Sequence, residues 1–309
     1  MIKVLFAAPD DKWDVYRAPL TRACAAAGLS VDIARDHAPG CVDYIVYAPR
    51  GAPLEFRRFT RARAVLCLWA GVETIIDNPD LTQPVARMVD DGMTEGMVEY
   101  VTGHVLRHHL GMDRDITRTD RRWQPHTPPL ARNRTVGILG LGALGAACAA
   151  ALAGLNFRVL GWSRRQKHFA GVTCFAGDDG LARLLEQAQI LCLLLPLTAS
   201  TENLLDRRNL ARLPRGAVII NPARGPMIDD DALLDALATG QIAHATLDVF
   251  RHEPLPPQHP FWQHPGITVT PHIASETRAE TAAQVVAENI RRAEAGETLL
   301  HLVDRAAGY

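Results

Sequence analysis

The sequence offers little cysteine chemistry. Its six cysteines form no C-x-x-C pair and show no spacing typical of metal ligands, so neither a redox dithiol nor a metal site is indicated. Several of them lie in apolar stretches, where cysteine behaves as a small buried hydrophobic residue. This usage favours a reducing, cytoplasmic setting without a disulfide framework.

Neither sign of charge predominates. The chain carries 33 Lys and Arg against 34 Asp and Glu, for a formal net charge of −1, so a partner such as nucleic acid has no support. With 48% hydrophobic and 22% charged residues, the composition is that of a globular protein rather than a disordered one. The length of 309 residues fits two domains of ordinary size.

No apolar run is convincing as a membrane segment. The N-terminal stretch Ile2–Ala8 is too short for a convincing signal peptide and predicts a first strand. Residues 136–155 lack charge over twenty positions, which is long enough to span a bilayer. Five glycines and many alanines in this segment favour instead a buried strand, a glycine turn and a small-residue helix. We therefore expect no membrane partner.

Short apolar strands alternate with helical patterns through almost the whole chain, which is typical of an α/β protein. A long helix is predicted over Thr94–Leu110, resuming through Arg114–Arg122, before a proline-rich segment interrupts it. A second alternating series then begins. Its predicted strands are Val136–Leu141, Phe157–Trp162, Ile190–Pro196, Ala217–Asn221, Ala245–Val249 and Ile267–Thr270.

This organisation predicts two Rossmann- or flavodoxin-like domains with parallel sheets and an active site in the cleft between them. Residues 1–98 and 277–309 would form the substrate-binding domain, and residues 99–276 would form the dinucleotide-binding domain.

A glycine-rich turn follows the first strand of the second series. Gly140 would permit the tight turn, Gly142 would let the backbone approach a pyrophosphate, and Gly145 would allow close packing of helix on strand. The N-terminus of the following helix would offer free N–H groups and a positive dipole end to the phosphates. The predicted cofactor-binding positions of the turn are Gly140, Gly142, Ala143, Leu144 and Gly145.

The end of the next strand bears on the choice of cofactor. An NAD site usually has an acidic residue about 20 residues after the motif, whereas this stretch has Ser163, Arg164, Arg165 and Lys167 and no acid. Guanidinium groups suit a 2′-phosphate, so we predict NADP(H), with NADPH preferred over NAD. The alternative is a solvated basic loop.

Three further segments lie at strand ends, where ligands of open α/β sheets bind. They supply Arg224, then Asp248 and Glu253, then His272. The arginine could bind a substrate carboxylate and polarise the carbonyl. The histidine could donate a proton as hydride arrives, with a carboxylate favouring its charged form. Each residue alone has an ordinary structural explanation, but together they fit reduction of a keto acid.

These segments and the glycine turn resemble the signature of the D-isomer-specific 2-hydroxyacid dehydrogenases, and within that family the chain is similar over essentially its full length to the bacterial glyoxylate/hydroxypyruvate reductase A group. The segments that point to the narrower group are Trp69–Glu73, Glu253–Pro257, Trp262–Pro265 and Val303–Tyr309.

The resemblance implies an enzyme that reduces a small 2-keto acid, glyoxylate or hydroxypyruvate, to the 2-hydroxy acid. It implies Arg224, Glu253 and His272 as the catalytic triad, with Glu253 hydrogen-bonded to His272. It places the substrate at Arg224 and His272 and at the loop Trp69, Ala70, Gly71 and Val72, whose backbone N–H groups would hold the carboxylate. It places Asp248 at the nicotinamide carboxamide and Pro196, Thr201 and Ala223 along the cofactor, although a strand end and helix cap explain Pro196 and Thr201 equally well.

The resemblance also implies a homodimer. Trp123 lies in a segment that in related reductases reaches toward the partner's active site. Alternatively, its side chain packs against its own loop and stabilises that loop. Trp69 stands where many relatives have Asn or a small residue, and it either narrows the pocket or packs against the first domain.

Two other interpretations stay open. The first is a D-lactate or phosphoglycerate type of dehydrogenase on the same scaffold. The second is a non-catalytic, dinucleotide-sensing corepressor, against which the chain shows no long charge blocks for recruitment.

Overall fold

The computed structural model describes residues 1–49, 54–306 and 308. The chain forms two compact units, of which the first comprises residues 1–93 and 276–309 and the second residues 94–275. Each unit is built on one sheet of parallel strands with helices, so the α/β prediction is confirmed. Ala307 and Tyr309, in the tail that contributes to the resemblance, lie outside the described residues.

The first unit has a five-stranded sheet of order β2-β1-β3-β4-β5. Helix α1 (Asp10–Ala26) begins with two acidic residues, which favour a helix N-terminus, and it packs against helix α8 (Ala279–Glu294). The strands are β1 (Ile2–Ala7), β2 (Val31–Ala34), β3 (Tyr44–Tyr47), β4 (Ala64–Cys67) and β5 (Val85–Ala86).

The second unit has a seven-stranded sheet of order β12-β11-β10-β9-β6-β7-β8. Its strands are β6 (Thr135–Leu139), β7 (Arg158–Ser163), β8 (Val172–Ala176), β9 (Ile190–Leu193), β10 (Ala217–Asn221), β11 (Ile242–Leu247) and β12 (Ile267–Val269). The helices are α2 (Asp91–Leu110), which starts just before this unit, α3 (Asp113–Ile116), α4 (Ala143–Gly154), α5 (Gly177–Leu185), α6 (Arg207–Arg212) and α7 (Asp230–Ala238).

The strand order of the second unit fixes where a ligand would lie. From β6 the chain moves outward through β7 and β8, then returns to the other side of β6 with β9. The crevice outside the carboxyl ends of strands at such a reversal is where open α/β sheets bind ligands. The glycine turn follows β6, and the polar segments follow β10, β11 and β12, so all of them lie at this edge.

One strand was missed and one predicted helix was wrong. Strand β8 was not predicted, because it is an edge strand of mixed polarity in which Phe175 is the one buried residue. The helix predicted over Arg114–Arg122 ends at Ile116, since the residues that follow are exposed and have no apolar face to bury. Thr117 there donates its hydroxyl to the Asp113 carbonyl (2.7 Å).

None of the helices in the described part of the chain is both long and apolar enough to cross a bilayer.

Candidate active site

The glycine turn is shaped by close backbone approaches at its first and third glycines. Gly140 has φ +106°, and a Cβ atom there would lie 2.5 Å from the Leu194 carbonyl oxygen. A Cβ atom on Gly145 would lie 1.8 Å from the Gly140 carbonyl oxygen. Both positions therefore exclude any side chain. A Cβ atom on Gly142 would meet nothing within 4 Å, so open space lies over the middle of the turn.

Helix α4 begins at this turn with unpaired backbone donors. Gly142 caps the helix and has no side chain to accept its first N–H groups. Among the described residues, none accepts a hydrogen bond from the backbone N–H groups of 141–145. Orphan donors and the positive end of the helix dipole make such a terminus an anion site, so the turn fits the pyrophosphate of a dinucleotide.

The predicted basic residues follow β7 in one loop beside the turn. Ser163 is buried at the strand end and donates its hydroxyl to the Arg165 carbonyl (2.8 Å). Arg164 and Arg165 are exposed. The Lys167 ammonium donates to the carbonyl oxygen of Leu141 (2.7 Å). This bond joins the basic loop to the glycine turn, as a site that holds both pyrophosphate and 2′-phosphate requires.

The segment after β10 carries Arg224 in a turn held by Asn221. The buried Asn221 side chain accepts from the Ala223 N–H (3.1 Å) and donates to the Arg224 carbonyl (2.9 Å). The half-buried Arg224 donates through Nη1 to the Ala223 carbonyl (2.7 Å). A Cβ atom on Gly225 would lie 2.1 Å from the backbone carbon of Phe250. The glycine therefore lets the arginine segment touch the segment that carries Glu253.

Glu253 and His272 form a hydrogen-bonded pair. His272 Nδ1 lies 2.7 Å from Glu253 Oε2, and Glu253 Oε1 accepts from the Phe250 N–H (3.0 Å). The Glu253 side chain is 20% exposed and that of His272 is 52% exposed. A carboxylate held by its own loop thus orients an accessible imidazole, which is the arrangement of a general acid or base with its orienting partner.

Asp248 is fully buried and binds the backbone of the segment that contains His272. Its Oδ1 accepts from the Ile273 N–H (2.9 Å) and its Oδ2 from the Ala274 N–H (2.8 Å). The described contacts of this carboxylate therefore shape the histidine segment. Its predicted contact with a nicotinamide carboxamide stays a prediction.

Three of the predicted cofactor residues lie in tight local structure. The buried Thr201 hydroxyl donates to the Pro196 carbonyl (2.8 Å) and accepts from the Thr198 N–H (2.8 Å). These bonds shape the loop after β9. Ala223 is buried in the turn held by Asn221. Their position after strands β9 and β10 is compatible with a cofactor running along this edge.

The predicted carboxylate loop belongs to the first unit and follows β4. The Trp69 carbonyl accepts from the Met88 N–H (3.0 Å), and Val72 is buried. No acceptor for the backbone N–H groups of Ala70, Gly71 and Val72 is found among residues 1–49, 54–306 and 308. Unpaired N–H groups are unusual in folded proteins, and three in succession suit an anionic ligand.

Tyr100 and Thr270 extend the site beyond the residues predicted from the sequence. The Thr270 hydroxyl donates to Asp248 Oδ1 (2.6 Å), and the Tyr100 hydroxyl lies 2.7 Å from Thr270 Oγ1. A threonine directly after a strand and two residues before a candidate histidine was a signal for Thr270. No sequence pattern indicated Tyr100, because it lies within a helix 170 residues before Thr270.

Comparison with known proteins agrees with this geometry. Residues 102–274 match the family described as D-isomer specific 2-hydroxyacid dehydrogenase, NAD binding domain. Glyoxylate/hydroxypyruvate reductase A of Serratia proteamaculans (strain 568) is 41% identical over 257 residues, covering 81% of this chain and 82% of that protein.

Solved structures are similar over the whole chain. A D-isomer specific 2-hydroxyacid dehydrogenase from Xanthobacter autotrophicus Py2, in complex with NADPH and MES, has a TM-score of 0.92 and 41% identity, covering 100% of this chain and 99% of that one. The NADPH-dependent glyoxylate/hydroxypyruvate reductase of Sinorhizobium meliloti, in complex with NADP and sulfate, has a TM-score of 0.87 and 32% identity, with 100% of both chains covered. The protein belongs to the D-isomer specific 2-hydroxyacid dehydrogenase family.

Proposed function

We propose that this protein is an NADPH-preferring reductase that converts small 2-keto acids, glyoxylate and hydroxypyruvate, to their 2-hydroxy acids. The observation that carries the proposal is the 2.7 Å pair of His272 and Glu253, which lies at the same sheet edge as Arg224 and the glycine turn. Relatives named glyoxylate/hydroxypyruvate reductase A support the substrate class. D-Lactate and phosphoglycerate are the alternative substrates.

NADP(H) fits the residues at this edge. The free N–H groups at the start of α4 would hold the pyrophosphate, and Ser163, Arg164, Arg165 and Lys167 would hold the 2′-phosphate. When bound, the cofactor supplies the hydride that reduces the carbonyl carbon. Relatives crystallised with NADPH or NADP support this choice.

His272 would donate the proton that the substrate oxygen requires as hydride arrives. Glu253 accepts from Nδ1, so it fixes the orientation of the ring. The remaining ring nitrogen, Nε2, is then the proton donor. The carboxylate keeps its own place through the Phe250 N–H.

Arg224 would bind the substrate carboxylate and polarise the neighbouring carbonyl. Its planar guanidinium can donate two parallel hydrogen bonds to a carboxylate, which fixes the orientation of a small keto acid. In the first unit, the loop Trp69–Val72 would offer backbone N–H groups to a carboxylate. In the second, Asp248 would contact the carboxamide of the cofactor.

We further propose that the enzyme is a cytoplasmic homodimer. All six cysteines are free thiols, as a reducing compartment favours. Trp123 is 95% exposed, so it does not pack against its own loop and is available to a partner subunit. Light scattering after size exclusion should give twice the 33.8 kDa chain mass.

Side-by-side turnover of NADPH and NADH with glyoxylate, hydroxypyruvate and pyruvate tests the function. We expect fast oxidation of NADPH with the first two acids. His272→Ala should lower kcat by about 10²-fold or more, the range of general acid catalysis, without weakening NADPH binding. The control is His252→Ala, which removes an exposed histidine next to Glu253. Tight NADPH binding without turnover of any acid would contradict the reductase and favour a dinucleotide sensor.

A further inference from the structure

His272 is held in an unusual backbone conformation. Its φ is +56°, in the left-handed region that a residue with a side chain rarely adopts. Its N–H donates to the Asp248 carbonyl oxygen (2.9 Å), and the next two N–H groups donate to the Asp248 carboxylate. The surrounding structure must impose such a conformation. Here three oxygens of the buried Asp248 accept the three N–H groups of residues 272–274.

The position of Asp248 itself is fixed by a hydroxyl chain. Thr270 donates to Asp248 Oδ1 at 2.6 Å. A hydroxyl has one proton to give, so Thr270 can only accept from Tyr100, whose hydroxyl lies 2.7 Å away. The direction of the chain is therefore Tyr100 to Thr270 to Asp248.

Tyr100 is well suited to be the permanent donor of this chain. Burial, together with the nearby Asp248 charge, raises the pKa of Tyr100 above its ordinary value of 10.0, so it keeps its proton throughout the neutral range. Its ring packs on His104, with 4.5 Å between ring centroids, and this contact fixes the direction of the hydroxyl. The chain thus begins on helix α2 and ends at the backbone of the candidate proton donor.

We propose that Tyr100 and Thr270 are positioning residues for His272. Through Asp248 they hold the segment 272–274 in its strained form, which keeps the imidazole against Glu253. Neither residue touches the reacting atoms in this scheme. The proposal rests on the proposed function, in which His272 donates the proton.

Four variants test the chain. Tyr100→Phe removes only the donor hydroxyl, Thr270→Val removes the middle hydroxyl, and Thr270→Ser retains it. Thr268→Val is the matched control, because its hydroxyl bonds to His244 (2.8 Å) and Arg107 (3.0 Å) rather than to Asp248.

We expect Thr270→Val to lower kcat about tenfold, the ratio that corresponds to one lost buried hydrogen bond. Tyr100→Phe should lower kcat by about three- to tenfold on the same basis. The double variant should be no worse than Thr270→Val alone, because both residues act through one chain. Thr270→Ser and Thr268→Val should stay within about twofold of the parent enzyme.

A second readout does not depend on turnover. The N–H proton shared by His272 and Glu253 should give a downfield NMR resonance, assigned by its loss in His272→Ala. It should weaken in Thr270→Val and Tyr100→Phe and persist in Thr270→Ser and Thr268→Val. An unchanged resonance and unchanged kcat in Thr270→Val and Tyr100→Phe would overturn the proposal. Full turnover in His272→Ala would instead overturn the proposed mechanism, and the resonance would still report on positioning.

Discussion

Glu253 uses its two carboxylate oxygens for different partners: Oε2 contacts His272 Nδ1 at 2.7 Å, and Oε1 accepts from the Phe250 N–H at 3.0 Å. The second bond prevents the carboxylate from rotating away from the imidazole. The loop after β11 therefore fixes the position of the Glu253 carboxylate, and the first prediction concerns its charge.

Glu253→Gln should keep a hydrogen-bonding side chain beside His272 but remove the negative charge. The carboxylate that accepts from His272 Nδ1 is then replaced by a neutral amide. We expect kcat/KM for glyoxylate reduction at pH 7 to fall about 10- to 100-fold, within the range of general acid catalysis. Glu202→Gln, a change at an exposed residue, is the control. Equal kcat/KM values for Glu253→Gln and the parent would show that the charge plays no part.

Arg164→Ala should change cofactor preference rather than chemistry. A lost charge-assisted contact to the 2′-phosphate costs about 1.5–3 kcal/mol, which corresponds to roughly a 10- to 150-fold rise in the KM for NADPH. The KM for NADH, which lacks that phosphate, should change little. Arg208→Ala removes an exposed arginine on α6 and serves as control. An equal rise for both cofactors would make Arg164 a bystander in their discrimination.

Gly225→Ala should disrupt the junction between the arginine and glutamate segments. Its Cβ would meet the Phe250 backbone at 2.1 Å, and backbone cannot move aside as a flexible side chain can. We expect a loss of several kcal/mol in the free energy of unfolding by urea, the upper range for point substitutions. Gly103→Ala is the contrasting variant, because its Cβ meets nothing within 4 Å on helix α2. That change should stabilise the protein by about 0.5–1 kcal/mol. Equal stability of the two variants would contradict the close approach.

Acid should destabilise the second unit through a half-buried histidine cluster formed by His104, His108 and His244. Burial, the neighbouring histidines and Arg107 lower the pKa of His108 from its ordinary value of 6.5 to about 3. Burial also lowers the pKa values of His104 and His244, although Asp113 and Asp248 oppose the shift. The folded protein keeps these rings neutral, and their hydrogen bonds to Thr246 and Thr268 lie within the fold.

The sign of the pH effect follows from these lowered pKa values. The neutral histidines contribute their full stabilisation of the folded state above pH 6.5. This stabilisation is lost as the pH falls below that value, because the unfolded chain then binds protons that the folded protein does not. Each such histidine lowers the free energy of unfolding by up to about 1.4 kcal/mol for each pH unit of acidification. Urea unfolding at pH 7.5, 6 and 5 measures this loss, and His108→Gln should flatten it. A free energy of unfolding that does not change with pH in the parent protein would show that protonation of the cluster does not destabilise the fold.

The sequence predicted those parts whose signal is local. Strand β10 has its predicted bounds, because it is an unbroken apolar run. The small-residue helix predicted after the glycine turn is α4. The pairing of Glu253 with His272 came from the family resemblance rather than from spacing. The edge strand β8 was not predicted because its residues are mostly half-buried and of mixed polarity, so they form no continuous apolar run.

Contacts between residues far apart in the sequence were also not predicted. Tyr100 and Thr270 meet because helix α2 lies alongside β11 and β12. Its Arg107 and His108 contact Thr268 and Thr246 of those strands, and a sequence pattern does not reveal such contacts. Lys167 was predicted to bind the cofactor from its charge alone. Its bond to Leu141 depends on two loops that lie 26 residues apart.

That bond has a consequence for anyone who wishes to change the coenzyme. When a loop becomes ordered only as its ligand binds, the lost conformational entropy weakens binding. Here the Lys167 ammonium already holds the basic loop against the glycine turn. Exchanging the whole basic stretch for an acidic one would therefore remove an anchor along with the charge. Engineering toward NADH should start at Arg164 and Arg165 and leave Lys167 in place.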